Sequence, residues 1–147
     1  MLLPDVNVLV YAHRSDSADH SSYRQWIAAM LGADAAFGVS DAVLSGFVRI
    51  VTHPGIFKIP TALDVALSFV DQIRGRPNAV PIVAGVRHWD IFERLCLQAG
   101  ARGNLVADAY LAAIAIESGC EWITTDRDYS RFDGLRWRHP LDDRSAR

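Results

Sequence analysis

The chain is poor in cysteine and lysine and has no long apolar run, and each scarcity narrows what the protein can be. Its only two cysteines are Cys96 and Cys120. They lack metal-ligand spacing and read as thiols in the core of a cytoplasmic protein. No ligand spacing suggests zinc. The apolar runs are too short to span a bilayer, so no membrane association is expected. Met1-Leu2-Leu3-Pro4-Asp5 has neither a basic n-region nor an adequate apolar one, so no secretory signal is expected. There is no low-complexity tract, internal repeat or linker. Lys58 is the only lysine among the 15 formal cations. The others are arginine, which binds phosphate bidentately and stacks on bases. That bias has two readings, RNA binding or the base composition of the genome.

What is present fits one domain, 1–147, with 140–147 as a frayed tail. A chain of 147 residues, half of them hydrophobic, can bury a real core. Strand and helix signals alternate. Leu2 to Pro4 reads as a strand. His20 to Leu31 reads as a helix with Tyr23, Trp26, Ile27 and Met30 on one face. Ala36 to Val39 is a buried strand, and Ser40 an N-cap for a helix to about Val51 that His53-Pro54-Gly55 stops. Thr61 opens a helix with Asp64 at its third position. A strand at Val80 to Val83 precedes helices at Arg87 to Ala99 and Asn104 to Ser118, the latter with Asn104 as its cap. Strands at Glu121 to Thr125 and Leu135 to Arg138 complete the pattern. The alternation predicts a three-layer α/β/α domain with a mainly parallel central sheet.

Three aspartates stand in apolar surroundings. Asp5 lies between Met1-Leu2-Leu3-Pro4 and Val8-Leu9-Val10-Tyr11. Asp108 falls inside Leu105 to Ile116, and Asp126 ends Trp122-Ile123-Thr124-Thr125. A carboxylate there is costly unless it is paired or coordinates a metal. Parallel sheets place their chemistry at the carboxyl ends of strands, where Asp5 and Asp126 fall. Ala107, Ala109, Ala112, Ala113 and Ala115 let the helix of Asp108 approach the sheet. Asp41, with Ser45, Arg49 and Thr52 on roughly its face, either borders this site or belongs to a solvated stripe. Two carboxylates about 4 Å apart repel by about 4 kcal/mol at an effective dielectric of 20. Such a cluster holds protons or binds Mg²⁺ or Mn²⁺. Asp5 is also readable as a cap for the turn Val6 to Val10, and Asp126 and Asp128 as turn residues. The five histidines, His53 and His88 among them, read as structural or surface groups. Arg74, Arg76, Arg87, Arg94 and Arg102 are either an RNA-facing surface or a solvated one. With no Asp-x-Asp-x-Thr motif and no suitably placed lysine, acidic α/β phosphatases and receiver domains fit worse.

Three segments, Leu3 to Ala12 (LPDVNVLVYA), Asn104 to Ala115 (NLVADAYLAAIA) and Ile123 to Phe132 (ITTDRDYSRF), resemble the motifs of PIN-domain ribonucleases. Phe47 to Pro54 (FVRIVTHP) is similar to the VapC toxin branch, particularly its mycobacterial members. The resemblance covers nearly the whole chain, and three weak motifs in the right order and spacing make a specific signal. It implies a PIN-like nuclease domain and the toxin component of a type II toxin–antitoxin system. The activity implied is Mg²⁺- or Mn²⁺-dependent endoribonuclease cleavage of structured RNA such as tRNA or rRNA, neutralised by a cognate VapB-type antitoxin. It also implies Asp5 and Asp108 as principal metal ligands, with Asp126 completing the site directly or through water. Asp128 adds charge at the rim, and Asn7 and Thr125 orient carboxylates. The family usually places a glutamate near Leu44 to Gly46. This chain has no acid in that helix except Asp41, which either substitutes or leaves a three-acid site. Two other readings stay open: a non-toxin PIN nuclease in RNA processing, and a catalytically weakened RNA-binding PIN module. The apolar residues Tyr23, Trp26, Phe47, Trp89 and Phe92 exceed what a small core must hide and, with the resemblance, predict a homodimer and a bound antitoxin.

Overall fold

Five short strands frame the computed structural model, which describes residues 1–142. They are β1 (Leu2–Pro4), β2 (Phe37–Val39), β3 (Ala79–Pro81), β4 (Glu121–Ile123) and β5 (Trp137–Arg138). The helices are α1 (Val6–His13), α2 (His20–Gly32), α3 (Asp41–Val51), α4 (Leu63–Arg74), α5 (His88–Ala99) and α6 (Asn104–Ser118), and a 3₁₀ turn covers Arg127–Arg131. The sheet order is β3-β2-β1-β4-β5, and every pair is parallel. The chain steps outward from β1 to β3, then returns to β4 on the other side of β1. Right-handed crossovers therefore send α1–α4 to one face of the sheet and α5–α6 to the other. The direction reverses between β1 and β4, which makes the carboxyl ends of these two strands the topological switch point. The expected three-layer α/β/α architecture is what forms.

The core follows from strands buried on both sides. Leu3, Phe37, Trp122 and Ile123 are buried with Val8 and Leu9 of α1, Phe47 of α3 and Leu95 of α5. Ala109, Ala112, Ala113 and Ala115 are buried too, and these small side chains let α6 lie close against the sheet.

Several local expectations need correction. Val6 to Tyr11 carries three valines, poor helix formers by propensity, yet it forms α1. Asp5 caps it, and burial of Val8, Leu9, Val10 and Ala12 outweighs the propensity. Helix α4 starts at Leu63 rather than Thr61. Thr61 is committed elsewhere: its N–H donates to the Val51 carbonyl (2.8 Å), and its hydroxyl meets His13 and Arg14. Ser40 precedes α3 but makes no side-chain cap bond. The cap position of α6 belongs to Gly103 at φ 59°, where a side chain would be strained, and Asn104 is the first helical residue. Strands β2 and β5 start later than expected, β4 ends earlier, and β3 is shifted to Ala79–Pro81. Residues 140–142 are not frayed: Pro140 is buried and Asp142 pairs with Arg127 at 3.3 Å. Positions 143–147 of the expected tail lie outside the described residues. Tyr23 and Phe47 are core residues, Trp26 and Phe92 are partly buried, and Trp89 alone of the five is strongly exposed, at 62%. Cys120 is buried and Cys96 partly so, both as free thiols. Among the described residues no helix is long and apolar enough to cross a membrane.

Candidate active site

Asp5 directly follows β1 and is 4% exposed. Its backbone N–H donates to the Ile123 carbonyl (2.8 Å), which extends the β1–β4 ladder by one residue. Continuing the Pro4↔Ile123 register sets Asp5 beside Thr124. The two carboxylate oxygens are fixed separately. Oδ1 accepts from the Val6 N–H and Oδ2 from the Thr124 hydroxyl, both at 2.6 Å. Asp5 is therefore a helix cap and a site acid at once. Burial pushes its carboxyl up to about 6, against the two hydrogen bonds, and the charges of Asp108 and Asp126 push the same way.

Asp108 sits in the second turn of α6 and is half-buried. Its Oδ1 accepts from the Tyr129 hydroxyl at 3.3 Å. Burial raises this carboxyl as well, followed by the charge of Asp126; the Tyr129 bond opposes the rise and Asp128 adds to it. Tyr129 is buried, and desolvation with the surrounding acids pushes its phenol far up, so it stays a donor. Asp126 caps the 3₁₀ turn, its Oδ1 accepting from the Asp128 N–H at 2.9 Å. Its own N–H donates to the Thr124 hydroxyl oxygen at 3.0 Å. Thr124 thus ties two acids together.

Asp5, Asp108 and Asp126 line one cleft of about 760 Å³. The opposite wall is α3, through Ala42, Ser45, Gly46, Arg49 and Ile50. Asn7 lines the cleft too, but among the described residues its side chain makes no hydrogen bond to a carboxylate. Asp41 does not: it is exposed and pairs with Arg74 of α4 at 3.2 Å. Asp128 is exposed outside the lining, contributing its backbone N–H and its charge. The position expected of Thr125 is taken by Thr124, because the ladder with β1 turns that side chain toward Asp5. Tyr129, which no motif in the sequence singles out, lines the cleft as well. None of the five histidines lines the cleft. Of the five arginines read as a possible RNA surface, Arg74, Arg76, Arg87 and Arg94 make polar contacts within the protein.

The donor set facing the cleft is all oxygen, which suits Mg²⁺ or Mn²⁺ and not zinc. Among the described residues no three acids form a ready-made cation cage. Each acid keeps unused acceptor capacity beyond its internal hydrogen bonds. A buried carboxylate held among like charges is the environment a cation relieves.

Such an acid site, at the switch point of a parallel sheet in this strand order, defines the PIN class. The PIN domain family model matches residues 2–135, and the chain belongs to the PIN-domain family. Within it the chain stands with the VapC ribonucleases. It is 45% identical over 142 residues to Ribonuclease VapC43 of Mycobacterium tuberculosis, covering 97% of both chains. Among solved structures, Mycobacterium tuberculosis VapC20, a sarcin-ricin loop cleaving toxin, matches with a TM-score of 0.67. The identity is 14%, over 92% of this chain and 99% of that one. VapBC2 from Rickettsia felis, bound to a DNA fragment from its promoter, matches with a TM-score of 0.64 at 18% identity, over 92% and 96%.

Proposed function

We propose that this protein is the toxin of a type II toxin–antitoxin pair, a metal-dependent endoribonuclease that hydrolyses phosphodiester bonds in structured RNA such as tRNA or rRNA. It acts in the cytoplasm, is a homodimer, and is neutralised by a VapB-type antitoxin that places a basic side chain at the acids. The observation that carries the reading is the doubly anchored Asp5 carboxylate, raised to about 6 beside two further acids in an open cleft. Relatives named as ribonucleases and neighbours that are VapBC assemblies support it.

Asp5 and Asp108 would hold the cation, Asp126 would join directly or through water, and Asn7 lines the cleft beside them. A bound Mg²⁺ or Mn²⁺ supplies neutralised phosphate oxygens, a lower pKa for bound water and stabilisation of the leaving oxygen. Val6 N–H and the Thr124 hydroxyl fix the orientation of Asp5, and the Tyr129 hydroxyl fixes Asp108. The Asp126 Oδ1 accepts from the Asp128 amide, and Oδ2, without a hydrogen-bond partner among the described residues, would face the cation directly or through its water.

The deciding experiment is induced expression of wild type and Asp5→Ala in a bacterium, with new RNA 5′ ends mapped. It is paired with cleavage of total bacterial RNA by purified protein. New ends are expected with wild type alone, and purified activity should need Mg²⁺ or Mn²⁺ and stop with EDTA. Cleavage that persists in EDTA, or in Asp5→Ala, would refute the reading.

A further inference from the structure

We propose that Arg49 is the substrate-phosphate contact of the cleft. Its guanidinium holds a phosphate that flanks the cleaved bond, so that an RNA strand lies along α3 while the acids act on the neighbouring phosphodiester. The proposal rests on the ribonuclease reading above. Arg49 is exposed in the last turn of α3 and, among the described residues, is the only cation that lines the cleft of Asp5, Asp108 and Asp126. Most other arginines are occupied. Arg14, Arg74, Arg127 and Arg138 pair with acids, and Arg76, Arg87, Arg94 and Arg136 donate to carbonyl or amide oxygens. Among the described residues the guanidinium groups of Arg24, Arg49, Arg102 and Arg131 have no hydrogen-bond partner, and of these only Arg49 lines the cleft. It forms no ion pair with any described carboxylate, those across the cleft included.

The electrostatics of the cleft need such a group. Three acids repel a polyanion, and a cation held by them neutralises only the phosphate at the metal. A strand entering the cleft meets a second phosphate beside α3, where Ala42, Ser45 and Gly46 leave room at the wall. Arg49 lies one turn beyond Ser45 on that wall, and its planar fork suits bidentate phosphate binding. Because the contact is to a flanking phosphate, it stabilises bound substrate and transition state alike. Its removal therefore raises KM and spares kcat.

The test measures binding of a fluorescein-labelled single-stranded RNA of mixed sequence across a salt series, in an Asp5→Asn background that does not cut the probe. Arg49→Gln should weaken binding by about tenfold and make the plot of log K against log salt shallower by about 0.7. Arg49→Lys should keep the slope. With Asp5 restored and total bacterial RNA as substrate, Arg49→Gln should raise the RNA concentration for half-maximal rate and leave the maximal rate nearly unchanged. An unchanged salt slope, or a fall in maximal rate at unchanged half-saturation, overturns the assignment while wild-type cleavage keeps the ribonuclease reading intact. If wild type neither binds nor cuts RNA, both fall together. Melting of Arg49→Gln at the wild-type temperature excludes a loss through misfolding. If it melts lower, a folded Arg49→Met, which keeps the aliphatic stem without the charge, carries the decision: a shallower slope supports the contact and an unchanged one overturns it.

Discussion

Replacing Asp5 by asparagine should stabilise the metal-free protein at neutral pH, although it removes a residue from the centre of the fold. The raised carboxyl sets the size of the effect. An ordinary aspartate titrates at 3.8 and Asp5 at about 6; at about 1.4 kcal/mol per pH unit, ionising it in place costs the fold about 3 kcal/mol. Asparagine keeps an oxygen for the Val6 N–H, but its amide group cannot accept from Thr124, a loss of about 1 kcal/mol. The net gain is about 2 kcal/mol, or about 4–8 °C in melting temperature for a domain of this size.

The pH dependence gives the sign. Below 3.8 the carboxyl is protonated in both folded and unfolded chains, so its ionisation contributes nothing. As the pH rises from 3.8 toward 6 the unfolded chain ionises first, and past about 6 the folded chain carries the full cost. Wild type therefore loses stability to Asp5→Asn across this window, and Asp108, raised in the same direction, is common to both proteins. Scanning calorimetry in EDTA from about pH 4 to about pH 7.5 reads the difference directly. Adding Mg²⁺ at the upper pH should raise the melting temperature of wild type much more than that of Asp5→Asn, because the metal binds the folded site. If Asp5→Asn melts below wild type at neutral pH without metal, or if the gap between them does not close toward acid pH, the reasoning from burial is wrong.

Thr124→Val and Tyr129→Phe should each weaken metal binding, by roughly 10–100-fold and by the lower end of that range respectively, since both hydroxyls orient carboxylates. Titration calorimetry with Mn²⁺ on the folded variants checks this, and an affinity within twofold of wild type would make these hydroxyls bystanders. Asp41→Asn should leave the Mg²⁺ concentration for half-maximal cleavage unchanged, because Asp41 pairs with Arg74 on the surface. Its melting point should move little, in keeping with an exposed ion pair. A tenfold rise in the metal requirement would return Asp41 to the site.

The three acids that share the cleft were legible because each broke a rule of composition. A charge among apolar neighbours has to be accounted for, and the parallel-sheet rule says where strand-end residues meet. The partners of those acids were not legible. Choosing between Thr124 and Thr125 takes the register of β4 against β1, and β4 ends at Ile123, too early for alternation to be counted into the loop. Tyr129 reaches Asp108 only because Asp126 caps a 3₁₀ turn, and its spacing resembles that of an ordinary turn residue. Asp41 illustrates helical phase. Asp41, Ser45 and Arg49 share a stripe in the sequence, but the face that meets the cleft is Ala42, Ser45, Gly46, Arg49 and Ile50. That is an i, i+3, i+4, i+7, i+8 set centred further on, and Asp41 lies at its edge.

The same phase accounts for the acid that α3 lacks. Of the positions where the family resemblance implies a glutamate, Leu44 is 5% exposed and packs in the core, where a carboxylate would be buried without a partner. Gly46 faces the cleft, but a Cβ there would meet the Val6 Cγ2 at 3.1 Å, so Val6, the residue that follows Asp5 and donates to it, would have to move. A bulkier residue at 46 would therefore press on the Val6 side chain at the start of α1. Ser45 is exposed in the cleft and has room, yet an acid there would lie four residues before Arg49, at the spacing where opposite charges pair on a helix. The α3 wall thus carries no acid, and among the described residues Arg49 is its one charged group. The cation-binding charge is concentrated on the β1, α6 and β4 side, and the opposite side remains open to a phosphate.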